Sequence, residues 1–175
     1  MHEHETEERK HKYLFPVSLH PFMIDNYITT IENAIVKMGL KPEETRGEEE
    51  GQWQVFRGAI CIFVDIWRPV TNSDWNYTGI DNPVNTFQVI VPITTLPEED
   101  KLFKFYEELL HMNFHLYQAS FMVNRNDNVL ALKYKRIAEG LTESDVVEAV
   151  ESTGYYAEML SEYYKKNYGV NKLSE

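Results

Sequence analysis

The chain has 175 residues, 43% hydrophobic and 26% charged, the composition of a soluble globular protein long enough for a sizeable core. Acidic residues outnumber basic ones 28 to 17, which leaves a net charge of −11. A field of that sign repels phosphate backbones, so nucleic acid is excluded as an expected partner.

The single cysteine, Cys61, cannot close an internal disulfide, and a reducing compartment fits it. The N-terminal MHEHETEERKHK is polar and has no apolar signal-peptide region. The longest apolar run, AICIFV, stops at Asp65, far short of a membrane span. These features predict a cytoplasmic protein with no membrane partner, and the sequon Asn76-Tyr77-Thr78 is then a chance match. Residues 1–12 read as a disordered tail and 13–170 as a single α+β domain. His2, His4 and His11 lie in that tail among glutamates, which is a solvated composition and no metal site.

The first predicted helix runs from Pro21 to Met38. Ile24, Ile28, Ile31, Ile35 and Met38 repeat at the spacing of one helical face, and Gly39 stops it. An acidic, turn-rich loop, KPEETRGEEEG, follows at 41–51. Gln52–Arg57 reads as a strand, then Ala59–Trp67. Both faces of the second strand are mostly apolar, which predicts a central strand covered on both sides. Asp65 is its misfit. A carboxylate there either marks a functional pocket or sits at a strand end and reaches water.

Residues 68–85 form a long polar connection carrying Trp75 and Tyr77, which suit a partner surface or fold back over the core edge. Thr86–Ile93 alternates as a third strand, and Pro92 marks it as an edge or as the end of pairing. Thr95 and Glu98 fit a capping box for a second helix, with Pro97 in its first turn. Leu102, Tyr106 and Leu109 line one face of it, and Phe103 and Leu110 flank that stripe. Phe105 and Met112 fall outside that stripe, so this helix is open to cover on more than one side. His111 and His115 are four apart but straddle the helix end and lack the His-Glu-x-x-His pattern, so no metal is expected.

Leu116–Val123 and Val129–Ile137 make a hairpin around Arg125-Asn126-Asp127-Asn128, whose Asn and Asp tolerate left-handed backbone. Lys133 and Lys135 mark its wet side. Thr142 caps the last helix, Val146, Ala149, Val150, Ala157 and Leu160 form its core face, and Gly154 is a candidate kink. Tyr155, Tyr156, Tyr163, Tyr164 and Tyr168 crowd its C-terminal half. One small core does not absorb them all. Tyr163 and Tyr164 are candidate partner contacts, against the plainer reading that tyrosines snorkel at the rim.

The element order is α-β-β-β-α-β-β-α. With a hairpin between two helices it resembles the fold of type III secretion chaperones. From Phe87 to Leu160 the sequence is similar to the YbjN-like family of bacterial proteins, labelled sensory-transduction regulators. The residues carrying this are Leu109, Leu110 and Asn113, then Ala119 and Phe121, then Asp127-Asn128-Val129-Leu130-Ala131-Leu132, then Gly140-Leu141-Thr142. The resemblance implies an α+β domain, a homodimer, a regulatory or chaperone-like role and no catalytic residues. The secretion-chaperone likeness adds an unfolded protein or peptide partner, held by strand addition or groove packing.

The residues themselves carry little chemistry. There is no Gly-rich phosphate loop, no G-x-S-x-G elbow and no Cys-x-x-Cys. The expectation is a non-catalytic protein-interaction or chaperone-like module, a homodimer without cofactor or metal, with Trp75, Tyr77, Tyr163 and Tyr164 as contacts. The alternative is a small-molecule-binding protein or enzyme with a pocket near Asp65.

Overall fold

The computed structural model describes residues 25–67, 85–171 and 173. The tail at 1–12, the helix start at Pro21 and the loop residues Trp75 and Tyr77 lie outside the described residues. The elements are α1 (Asp25–Lys37), α2 (Pro42–Thr45), β1 (Gln52–Arg57), β2 (Ile60–Trp67), β3 (Thr86–Thr95), α3 (Glu99–Asn113), β4 (Ala119–Asn124), β5 (Val129–Ile137) and α4 (Glu143–Tyr168). The strands form one antiparallel sheet in the order β1-β2-β3-β5-β4. The α+β expectation and the element order therefore hold, with one addition. The acidic loop after α1 contains the helical turn α2, opened by Pro42 in its first turn.

Alternation along the strands sorts the sheet into two faces. Trp53, Val55, Ile62, Val64, Ile66, Phe87, Val89, Val91, Leu130, Leu132 and Tyr134 form one continuous core with the helices. α4 lies across this face, and α1 packs on α4. α3 closes the β4 side, where Phe105 meets Tyr164 and Tyr168 edge to face at 5.2 and 4.9 Å. The buried residues of α4 include every predicted core position, and the helix runs unbroken through Gly154. Gly154 is no kink. A Cβ there would lie 2.7 Å from Ile62 Cδ1, so the glycine lets helix and sheet approach closely.

Thr142 caps α4 as expected: its Oγ1 accepts from the Asp145 amide, and Asp145 Oδ2 accepts from the Thr142 amide at 2.9 Å. The predicted box at Thr95 does not form. Thr95 stays in β3, opposite Val129, and α3 starts from Glu98 without a side-chain cap. β3 is not an edge either. It is the central strand, and Pro92 sits where the β3–β5 register shifts between Pro92 and Thr94, an irregularity that tolerates the missing amide hydrogen. β2 has a strand on each side but stands second from the edge rather than at the centre. Asn128, at φ 53°, takes the left-handed position in the hairpin turn.

The approach to β1 is equally tight. Gly51 has φ +81°, its carbonyl accepts from the Ile66 amide at 2.8 Å, and a Cβ would lie 2.8 Å from the Ile66 carbonyl oxygen. Neither the backbone angle nor the neighbouring backbone can yield. Gly51→Ala is expected to lower unfolding free energy by about 2–3 kcal/mol in urea denaturation, against a fraction of that for Gly58→Ala, where a Cβ meets open space.

Candidate partner-binding surfaces

Three surfaces carry the candidate functional residues: the C-terminal half of α4, the outer face of α3 and the sheet face turned away from the helices. On α4 the two adjacent tyrosines part. Tyr164 is fully buried, in ring contact with Phe105, Phe121, Tyr163 and Tyr168. Its hydroxyl has no hydrogen-bond partner, and burial holds its pKa well above the usual phenol value. Tyr164 is a core residue, and the expected partner contact at this position is withdrawn. Tyr163 is 44% exposed and engages Glu108 of α3, whose carboxylate also accepts from Tyr168. Tyr155 and Met159 precede Tyr163 at four-residue spacing, and all three expose apolar surface.

α3 has two apolar faces. Phe105 and Leu109 are buried, with Leu102, Tyr106 and Met112 half-buried beside them. Phe105, expected outside the stripe, is the centre of that face, and Phe103 and Leu110, expected to flank it, are not part of it, because α3 is rotated to bring Phe105 against Tyr164 and Tyr168. On the opposite side Phe103, Leu110 and Phe114 repeat at seven and four residues and are 82%, 73% and 86% exposed. Such a stripe is more than the scattered exposed apolar residue of an ordinary surface. Spacing alone distributes these residues among the two faces ambiguously, because nearly every turn of this helix is apolar on both sides. Exposure decides it.

Both sheet edges are partly occupied by their own chain. On β4 the Phe121 amide donates to the Asn113 side chain at 2.8 Å. On β1, Arg46 bridges Trp53 and the Gly47 amide donates to the Gln52 carbonyl at 2.7 Å. These contacts protect edge strands and leave less free backbone for an incoming strand.

The remaining sheet face carries a polar row. Gln52, Asp65, Gln88 and Lys135 stand opposite one another on β1, β2, β3 and β5, and the first three are buried. Gln88 Nε2 donates to Asp65 Oδ2 at 2.9 Å. Gln52 Oε1, Asp65 Oδ1, Gln88 Oε1 and Trp67 Nε1 are buried and have no hydrogen-bond partner. Burial pushes the Asp65 carboxyl up to about 6, opposed by the Gln88 hydrogen bond and by Lys133. Lys133, half-buried on β5, is held below its usual value by burial first and by Lys135 second. Lys135 Nζ lies 5.3 Å from the centre of the Trp67 ring, a cation–π distance. Asp65 therefore does not reach water at a strand end. It is enclosed by amides of its own sheet.

Cys61, four residues before Asp65 on the same face, accepts from Gln54 Nε2, and burial raises its thiol pKa, which makes it a poor nucleophile at neutral pH. The His111 and His115 rings touch edge to face on the surface. Among the described residues no group of three or more His, Cys, Asp or Glu side chains is placed to hold a metal. Among them, too, no helix is long and apolar enough to cross a membrane.

No protein-family model matches the chain, and no curated protein matches it in sequence. Solved structures match it in fold. A chain of the HopA1–SchA chaperone–effector complex superposes with a TM-score of 0.53 at 8% identity, covering 78% of this chain and 93% of that one. The fold is α+β of the type III secretion chaperone-like kind. A chain of the ExsC–ExsE complex gives 0.49 at 12% identity over 83% and 96% of the two chains. One from the ExoT–SpcS complex of Pseudomonas aeruginosa gives 0.48 at 12% over 78% and 98%.

Two predictions separate these surfaces. Phe105→Ala is expected to cost about 3–5 kcal/mol of single-chain stability and Phe103→Ala within about 0.5 kcal/mol of zero, measured by urea denaturation of the two variants side by side at a dilution where the wild-type midpoint no longer depends on protein concentration. For Asp65, folding raises the carboxyl pKa from its ordinary 3.8 to about 6, so the folded chain takes up a proton between those values. Its stabilising effect is complete below pH 4 and lost as pH rises through 6. Asp65→Asn is expected to unfold at higher temperature than wild type at pH 8, by up to about 3 kcal/mol in stability, with the difference vanishing toward pH 4. Equal melting shifts at both pH values would contradict this.

Proposed function

We propose that the chain is a non-catalytic, chaperone-like protein-interaction module that acts as a homodimer in the cytoplasm and holds a protein or peptide partner. The observation that carries this is the second apolar face of α3. Phe103, Leu110 and Phe114 serve no core of their own chain and suit burial against another. A helix with one face in its own core and the other exposed is the element through which two copies meet across a two-fold axis, each patch covering its equivalent.

The fold likeness supports the same reading. The HopA1–SchA structure is a chaperone–effector complex, and by that likeness the client here is a protein. The occupied edges of β1 and β4 favour apolar faces over strand addition as the mode of capture. Tyr163, with Tyr155 and Met159 beside it, is the proposed client contact on α4, and Trp75 and Tyr77 are proposed contacts on the sequence argument alone. Assignment to the YbjN-like family rests on the motif residues between Leu109 and Thr142 and carries the regulatory part of the proposal.

Sedimentation velocity at tens of micromolar is the test. Wild type is expected as a dimer, and Phe103→Glu combined with Leu110→Glu as a monomer with unchanged circular dichroism, because both side chains are exposed in the single chain. A wild-type monomer, or a double variant that stays dimeric, would sink the α3 interface.

A further inference from the structure

The polar row on the sheet face opposite the described helices takes no part in the α3 and α4 contacts proposed above. Its side chains are arranged in strict register: Gln52 of β1 opposes Asp65 of β2, which opposes Gln88 of β3. All three are at least nine-tenths buried. As drawn with an ionised Asp65, the row is short of hydrogens. Gln88 supplies one to Oδ2, while Oδ1 and the amide oxygens of both glutamines accept nothing. Buried acceptors left unpaired each cost free energy.

A single proton repairs most of this. Placed on Asp65 Oδ1, it turns an unpaired acceptor into a donor, and the cross-strand neighbour Gln52 presents an unpaired Oε1 to receive it. The result is a continuous chain: Gln88 Nε2–H to Oδ2, then Oδ1–H to Gln52 Oε1. We propose that Gln52, Asp65 and Gln88 form a proton-operated hydrogen-bond chain linking β1, β2 and β3, closed when Asp65 is protonated and broken when it ionises.

The surrounding charges set how sharply it works. Among the described residues, the titratable groups on this face are Lys133 and Lys135 of β5 and Cys61 of β2. β1 contributes Gln52 and Gln54, and β3 contributes Thr86 and Gln88, all neutral. α4 lies on the opposite face with α1 packed on it and α3 closing its end, so the charges of these helices lie elsewhere. Lys133 favours the ionised form and desolvation opposes it more strongly. Lys135 is turned to the Trp67 ring. The proton comes from solvent and returns to it, and no other bond changes. Mild acid then fastens β1 to the centre of the sheet, and neutral or alkaline pH loosens the same strands. The device is independent of the α3 dimer and of any client.

The test is side-chain NMR of the full chain between pH 4 and 8. The Asp65 carboxyl carbon is expected to titrate near 6, and the side-chain amide nitrogens of Gln52 and Gln88 to follow with the same midpoint. Backbone amides of β1 and β2, corrected for intrinsic exchange, are expected to exchange about tenfold more slowly at pH 5 than at pH 8. In Asp65→Asn the two glutamine amides lose that titration and exchange becomes independent of pH. In Gln52→Met the carboxyl still titrates, but the pH dependence of exchange in β1 disappears. Glutamine amides that ignore the Asp65 titration, or β1 exchange that stays pH-dependent in Asp65→Asn, would overturn the chain. The wild-type measurement decides the matter even if a variant fails to fold.

Discussion

The close approach of α4 to the sheet is the constraint on which the rest of the structure depends. Its buried stripe is small in the middle, with Ala149, Thr153, Gly154 and Ala157, and aromatic at the end, with Tyr164 and Tyr168. Where the stripe is small, helix backbone and sheet side chains nearly touch, as at Gly154 and Ile62. Where it is aromatic, a wider gap opens and is filled by rings from α3 and β4. One helix therefore sets both the depth of the core and the place of α3. A larger residue at 154 meets the end of Ile62 and the stem of Arg57, which ties the helix position to β1 and β2 as well.

Because the helices share one face, the molecule is asymmetric in a way that bears on function. The helix side is apolar and fully used. The other side mixes apolar residues, Phe56, Phe63, Ile90 and Ala131, with a row of amides, a buried acid and two lysines, and that row specifies hydrogen bonds. α3, at the margin of the core, has a second apolar face more exposed than the stripe on α4, and it therefore carries the proposed interface. The two edge strands are partly held by contacts from their own chain, and the apolar surface proposed for others is that of the helices. Charge plays a different part: a net −11 keeps such an apolar surface soluble and selects against acidic partners.

Local signals in the sequence were legible where one rule acted alone. Thr142 caps α4 because a cap involves only the four residues 142–145, and Asn128 turns the hairpin because a left-handed residue is needed there. Signals that depend on a neighbour misled. Pro92 reads as an edge residue, but a register shift beside it lets a central strand accommodate the missing donor. Thr95 reads as a cap, but it is taken by β3, and its hydroxyl accepts from the Asn171 amide at 3.3 Å after the end of α4. Gly154 reads as a break, but it is kept for what lies above it. Tyr163 and Tyr164 are indistinguishable as letters, and the rotation of α4 places one in water and the other among four rings.

The sequence by itself determined the order and type of every described element except the short turn α2, because apolar periodicity and turn chemistry are properties of neighbouring residues. It also determined which function classes were poorly supplied, since phosphate loops and nucleophile elbows are contiguous motifs. Only the tertiary structure decided which apolar residues are surplus. Phe103 and Phe105 differ by two positions, and their fates are set by where α3 meets α4. Only it could show, too, that Asp65 lies between two glutamines more than ten residues away on either side. Strand register brings them together, and register is fixed by the whole sheet rather than by any stretch of the chain.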